Sequence, residues 1–369
     1  MKVAVYTIAL NEDKHVKRWY ESSKDADYHL IADTGSTDKT VEIAQELGIN
    51  VIHVRSVPFR FDDARNASLM ALPDDVDYCV ALDMDEVMQP GWRPELEKAL
   101  AEGISRPQYR FITDWTEDGQ PAVEFDGFRI HKRKGIRWIY PIHEVPTEYD
   151  DEPKTSKKFN FEIWHLPDKT KSRGQYLPQL EQAVKEEKNS RNLYYLGREY
   201  FYRKMFTEAA STLKEYLEIS VFIAEKGYAM RILSKCEPEQ AEEWLMKSVE
   251  IFPSREALLA LANHYYLNGE WAECVLVSKE ALKVKQKPTE FLSEAWAWSH
   301  MADDLIAVCS WQLGDFNTAY EHGKIAAEMS PNDERLIKNL EFYRGKLKKH
   351  NKEKVGNANI QRNGRHRKK

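Results

Sequence analysis

The first eighty residues alternate between two kinds of pattern. Short apolar runs at Lys2–Leu10, His29–Ala32, Asn50–Val54 and Tyr78–Leu82 read as strands. Between them, Lys14–Ser23, Thr40–Leu47 and Asp62–Leu72 carry helical spacing, and Gly48 follows the second of these as a C-cap. Strand–helix–strand–helix alternation predicts a parallel α/β sheet, and such sheets bind ligands at the carboxyl ends of their strands. The polar clusters fall at those ends: Thr7–Glu12, Asp33–Asp38 and Asp83–Glu86.

From about Asn192 the pattern is helical throughout, and it repeats. Gly197, Ala229, Ala262 and Ala307 align as one small-residue position, at spacings of 32, 33 and 45. Twelve places on lie Ala209, Ala241, Cys274 and Ala319; Tyr200 and Tyr265 follow the first and third by three. Pro253 and Pro331 follow the second and fourth by twenty-four, where a proline ends a helix. The longest spacing holds an insertion around Lys287–His300. Small residues let paired helices approach, and LYYLGREYFYRKMFTEAASTLKEYLEI resembles a tetratricopeptide repeat, with LLALANHYYLNGEWAECVLVSKEAL a looser copy. The segment Lys154–Gly174, with its apolar stretch Phe159–Trp164, links the two halves.

Composition narrows the class. A chain of 369 residues, 31% charged and 42% hydrophobic, fits an ordinary globular protein of two domains. No stretch approaches the ~20 apolar residues of a membrane-spanning helix. MKVAVYTIALNEDK reads as a first strand, because its apolar run is too short for a signal peptide. Cys79, Cys236, Cys274 and Cys309 form no CxxC pair, which predicts reduced core thiols in a cytoplasmic protein. The net charge of −6 is uneven: eleven Lys/Arg and one acidic residue lie between Arg344 and Lys369, a surplus of +10, so the rest carries about −16. An acidic body argues against a broad nucleic-acid surface. The basic tail reads as solvated and disordered, with contact to a polyanion as the other use.

The densest chemistry is Asp83-Met-Asp-Glu86, three carboxylates in four residues behind a buried strand. Such a cluster serves as a divalent cation site, an acid/base pair or a solvated turn. Hard oxygen ligands suit Mg²⁺ or Mn²⁺, which bind through one or two carboxylates plus substrate phosphates. The earlier strand end, Asp33-Thr-Gly-Ser-Thr-Asp38, has turn chemistry, with Gly35 free to take positive φ. Asp38 is assigned to capping the next helix and Asp33 to ligand contact.

TIALNEDKHVKRWYES, IADTGSTDKTVEIAQELG, FRFDDARNASL and YCVALDMDE occur in this order, and together they resemble a family 2 glycosyltransferase of GT-A fold. IHEVP (Ile142–Pro146), WHLP (Trp164–Pro167) and the repeats that follow are similar to a subgroup with the sublancin-type peptide S-glycosyltransferases, related to lipopolysaccharide-core glucosyltransferases. The resemblance implies that Thr7, Asn11, Glu12 and Asp33 meet the nucleotide, that Arg65 and Asn66 face the nucleotide and diphosphate, and that Asp83 and Asp85 form the DxD pair with Asp85 as direct metal ligand. It implies a nucleotide-sugar donor, UDP-linked first of all, with Mn²⁺ or Mg²⁺. His143 and His165 are candidate further metal ligands. The Glu-Asp pair that supplies the base in many inverting members is absent where expected, which leaves Glu144 and Asp114 as candidates. Trp115, Trp138 and Tyr140 are candidate stacking residues.

The expectation is therefore an α/β GT-A (Rossmann-like, mostly parallel sheet) domain over residues 1–175, an all-α tetratricopeptide-like domain over 176–345 and a basic tail over 346–369. The acceptor is a peptide or protein, a glycan or a nucleic acid, and the repeats suit a homodimer. Two other classes stand beside it. A repeat scaffold with a vestigial nucleotide-sugar domain would tolerate loss of Asp33, Arg65, Asp83 or Asp85, yet all four are intact. A sugar nucleotidyltransferase wants a Gly-rich phosphate loop after the first strand, and TIALNEDKH has no glycine.

Overall fold

The computed structural model describes residues 1–116, 118–149, 155–168, 176–288 and 291–366, with side chains as far as 350. The chain divides into two compact units, Met1–Ile219 with Thr289–Leu292, and Ser220–Pro288 with Ser293–Lys369. Residues 154 and 169–174 of the expected link, 289–290 of the insertion and 367–369 of the tail lie outside the described residues.

The first unit opens with β1 (Val3–Ala9), α1 (Asp13–Ser23), β2 (Tyr28–Asp33), α2 (Thr40–Glu46), β3 (Asn50–His53), α3 (Phe61–Ala71) and β4 (Tyr78–Ala81). Each matches its sequence expectation to within about two residues. It continues through β5 (Glu86–Met88), α4 (Trp92–Ala101), β6 (Arg106–Trp115), β7 (Pro121–Gly127), β8 (Ile130–Lys132), β9 (Ile136–Ile139), β10 (Val145–Glu148) and β11 (Ser156–His165). The main sheet runs β3-β2-β1-β4-β8, parallel except for β8 against β4. A second sheet runs β7-β6-β11-β5, with β6 and β11 parallel, and β9 and β10 form a hairpin.

The continuous apolar runs follow from burial of both faces of the main sheet. On β1, Val3 and Val5 join a core with Trp19, Ile31, Val80 and Leu82, while Ala4 and Tyr6 join another with Leu30, Leu69, Cys79 and Trp138. The strand ends are then tied together. Asn11 takes φ +56°, and its carboxamide oxygen accepts the Thr37 N–H at 2.8 Å. Asp38 accepts from the main-chain N–H of Asp13 (3.1 Å) and Thr40 (2.9 Å), so it caps the starts of both α1 and α2. The buried Trp19 indole donates to the Leu82 carbonyl at 2.9 Å and fixes the end of β4 just before Asp83.

Helices α5 (Tyr176–Glu186), α6 (Ser190–Tyr202) and α7 (Phe206–Ile219) also belong to this first unit. Sequence pattern alone groups them with the repeats. The second unit is helical: α8 (Ile223–Cys236), α9 (Ala241–Ile251), α10 (Arg255–Asn268), α11 (Trp271–Lys283), α12 (Met301–Gln312), α13 (Phe316–Met329) and α14 (Glu334–His366). All eight aligned small-residue positions, from Gly197 to Ala319, are buried, so the predicted repeat register is the packing register. In the insertion, the Glu294 N–H and Trp298 indole both donate to buried Glu256 on α10, at 3.1 and 3.0 Å. Helix α14 takes in most of the basic tail. Among the described residues no helix is long and apolar enough to cross a membrane.

Candidate active site

Asp83 lies two residues beyond β4 and is held between two guanidinium groups. Arg65, on α3 and only 2% exposed, donates from Nη2 to Asp83 Oδ1 and from Nε to Glu144 Oε1 at 3.0 Å. Arg129, just before β8, donates from Nη1 to Asp83 Oδ2 and to Glu86 Oε1 at 3.3 Å. Desolvation disfavours the Asp83 charge, yet Arg129 and Arg65 overcome it and hold its carboxyl well below the usual range. Glu86 behaves oppositely: burial, then the neighbouring Asp83 charge, push it up to about 7. Its Oε2 accepts the Asp83 N–H at 2.9 Å, which locks the turn between β4 and β5. Among the described residues Arg65 Nη1 is buried and meets no acceptor, so this cluster holds a spare cationic donor.

Asp85 pairs with a different partner. Its Oδ2 lies 3.1 Å from His165 Nε2 at the end of β11. The other ring nitrogen of His165 donates to the Thr113 carbonyl at 3.3 Å, which turns Nε2 toward Asp85. Burial works against the imidazolium, and the Asp85 carboxylate outweighs it, so the basicity of His165 is raised. The Leu166 N–H donates to the Asp85 carbonyl at 2.7 Å and closes β11 onto the β4–β5 turn. A carboxylate and an imidazole in van der Waals reach, both partly exposed, fit a divalent cation that takes its remaining ligands from phosphate and water.

The four expected metal ligands are not brought together. Among the described residues no group of three or more His, Cys, Asp or Glu side chains is arranged to hold a metal. Asp85 and His165 meet, Asp83 is engaged by the two arginines, and His143 stacks on Tyr195 with ring centroids 3.8 Å apart. Of the expected nucleotide contacts, Thr7 is fully buried in β1, and Asn11 and Glu12 sit in the loop tied to Ser36 and Thr40. Asp33 is 3% exposed and accepts from the N–H groups of Gly35 and Ser36, each at 3.1 Å, with His53 Nδ1 at 3.3 Å. It therefore organises its own turn, whereas the sequence assigns Asp33 to ligand contact and capping to Asp38. Asn66 spends both ends of its carboxamide on the Trp138 main chain, at 2.9 and 2.8 Å.

The two base candidates differ in setting. Glu144 is recessed beside Arg65, whereas Asp114 is exposed and accepts the Trp115 N–H at 2.9 Å. Of the aromatic candidates, Trp138 is a core residue beneath Arg65. Trp115 packs edge-on against Trp164 at 4.7 Å and donates to the His165 carbonyl at 3.3 Å. Arg129 and the raised pKa of buried Glu86 escape the sequence reading, and the Trp115–Trp164 packing was legible only through Trp115, as a stacking candidate. Of the first two only Glu86 carried a signal, as the third acid of its cluster; Arg129 sits in no recognisable motif.

Comparison with known proteins fits this architecture. Residues 4–139 match the profile of Glycosyl transferase family 2. The chain thus carries a family 2 glycosyltransferase domain, followed by a helical, tetratricopeptide-like region. No curated protein matches it. Similar solved structures include MamA, 16% identical over 43% of this chain and 89% of that chain (TM-score 0.36), and pilF of Pseudomonas aeruginosa, 16% identical over 46% and 72% (TM-score 0.35). Another is glucosyl-3-phosphoglycerate synthase from Mycobacterium tuberculosis, solved with Mn²⁺, UDP and glucosyl-3-phosphoglycerate; it is 28% identical over 30% of this chain and 44% of that one (TM-score 0.26).

Proposed function

We propose that the chain transfers a sugar from a UDP-linked donor to a peptide or glycan acceptor, as the resemblance to sublancin-type and lipopolysaccharide-core transferases implies. The observation that carries this reading is the charge arrangement at the end of β4: Arg65 and Arg129 around Asp83, beside the Asp85–His165 pair. A leaving nucleoside diphosphate gains negative charge on its β-phosphate, and preorganised cationic donors stabilise that charge. Arg65 Nη1, a buried donor with no acceptor among the described residues, suits this task. Asp85 and His165 would hold Mn²⁺ or Mg²⁺, which when bound supplies a Lewis acid at the diphosphate. Asp33, with the Asn11–Glu12 loop, would receive the nucleoside.

Glu144 is the better-placed base of the two candidates, since it adjoins Arg65 and is shielded from water, while Asp114 lies on an open edge. Arg65 keeps Glu144 oriented through Oε1, which leaves Oε2 to accept a proton from an acceptor group. The repeats supply surface for acceptor or a second copy of the chain. Four free thiols suit a reducing compartment such as the cytoplasm.

The test is a thermal-shift panel of UDP, GDP, CDP and dTDP sugars, each with and without Mn²⁺. One nucleotide is expected to raise the melting temperature only with metal, by mass action on the folded state. Asp85→Asn is expected to lose that shift while melting within a few degrees of the native chain. Undiminished metal-dependent binding in Asp85→Asn removes the Asp85–His165 site, and no shift with any nucleotide favours the scaffold reading.

A further inference from the structure

The turn between β9 and β10 carries Glu144, and its backbone is strained at two positions. Tyr140 takes φ +80° and His143 takes φ +53°, and neither is glycine. Left-handed backbone at bulky residues persists only where surrounding contacts hold it. One face of the turn is secured by α3: the Phe61 N–H donates to the Pro141 carbonyl at 2.9 Å, and Asn66 grips Trp138. Neither of these contacts reaches His143.

The other face is held by α6. Arg191 donates from Nε (3.0 Å) and Nη2 (2.8 Å) to the His143 carbonyl. Its guanidinium lies 5.8 Å from the Tyr140 ring and 5.0 Å from the Tyr195 ring. The His143 ring in turn stacks on Tyr195, 13° from parallel. One side chain therefore meets both strained residues, and the second of them immediately precedes Glu144.

We propose that Arg191 is a positioning residue for the reaction: its forked hydrogen bond to the His143 carbonyl sets the peptide that aims Glu144 at Arg65. The assignment rests on the glycosyl-transfer reading above. It makes the first repeat-like helix a working part of the catalytic machinery rather than a tether for acceptor. Without the fork, His143 relaxes toward negative φ, the following peptide rotates, and Glu144 leaves Arg65. Lysine replaces the fork with a single donor and cannot bridge the two tyrosine rings.

The experiment uses the full chain, its Arg191→Ala and Arg191→Lys variants, and hydrolysis of UDP-glucose and UDP-N-acetylglucosamine with Mn²⁺. Misplacement of a reacting group by about 1 Å costs on the order of a hundredfold. Arg191→Ala is accordingly expected to lower kcat about thirty- to a hundredfold with the donor KM within about twofold, and Arg191→Lys to fall between it and the native chain. Amide hydrogen exchange is expected to quicken over residues 139–145 and not over β1 or β4. A native chain that hydrolyses neither donor overturns the transfer reading itself. A native chain that turns over, beside an alanine variant whose kcat stays within about threefold, overturns the Arg191 assignment alone. Should the alanine variant fail to fold, the lysine variant decides by the same criterion: a kcat equal to native overturns the assignment, and a fall in kcat at constant KM supports it.

Discussion

His131, fully buried on β8 of the main sheet, shows how firmly single residues set this unit. Its Nδ1–H donates to the Lys132 carbonyl at 2.8 Å, which leaves Nε2 to accept from the Tyr6 hydroxyl at 3.1 Å. That hydroxyl accepts the Trp138 indole N–H at 2.7 Å, so the chain of donors is complete only while the ring is neutral. Burial lowers its pKa from 6.5 to about 4. A folded value below the unfolded one gives stability that is full above pH 6.5 and is lost as pH falls through 4. The loss amounts to about 3 kcal/mol. Imidazole NMR should place the His131 midpoint near 4, with the melting temperature falling over the same window. A midpoint near 6.5 would show that the Trp138–Tyr6–His131 chain does not hold. Arg129 belongs to the same scale and shows the limit of motif reading. It reaches Asp83 across 46 residues of sequence, and nothing in its neighbours Phe128 and Ile130 marks it.

At the scale of elements, β1 and β4 were legible because both faces of the sheet are covered there and each is a buried, near-continuous apolar run, while β2 and the edge strand β3 keep shorter apolar cores, Leu30–Ala32 and Val51–Ile52. The repeats were legible because paired helices demand small residues at fixed spacing. Gly197 gives that demand a distance: a Cβ there would stand 2.6 Å from Leu213 Cγ and Cδ2 on α7. Gly345 on α14 is the contrast, with nothing within 4 Å among the described residues. Gly197→Ala is expected to destabilise by about 1–2 kcal/mol, the overpacking cost exceeding the gain in helix propensity. Gly345→Ala, with only the propensity term, should stabilise by about 0.5–1 kcal/mol. Thermal unfolding of the two variants checks the pair, and equal shifts would mean that α6 and α7 do not pack this closely. The order β7-β6-β11-β5 was not legible, since β11 pairs with β6 about 50 residues away and with β5 nearly 80 residues away, which no local period encodes. The same holds for the turn before Glu144, whose strain is invisible in Tyr140-Pro-Ile-His143.

For the whole molecule, the question is where the catalytic unit ends. Family resemblance stops near residue 175, and the family profile stops at 139, yet the compact unit runs to Ile219. The physical reason is a shared apolar cluster. Ile142, from the strained turn, is buried with Leu180 and Ala183 of α5 and Leu196 of α6, and Phe61, Tyr176 and Tyr195 pack around them. Removing α5 and α6 would bare that cluster and take Arg191 from the His143 carbonyl. Each large side chain so exposed forfeits about 1.5–3 kcal/mol, and a domain has only about 5–15 kcal/mol in total. A chain ending at Ile219 should therefore melt cooperatively and keep the metal-dependent shift with its nucleotide. A chain ending at residue 175 should show neither. Cooperative melting with donor binding in the shorter chain would return the boundary to the end of β11 and make α5–α7 part of the repeats alone.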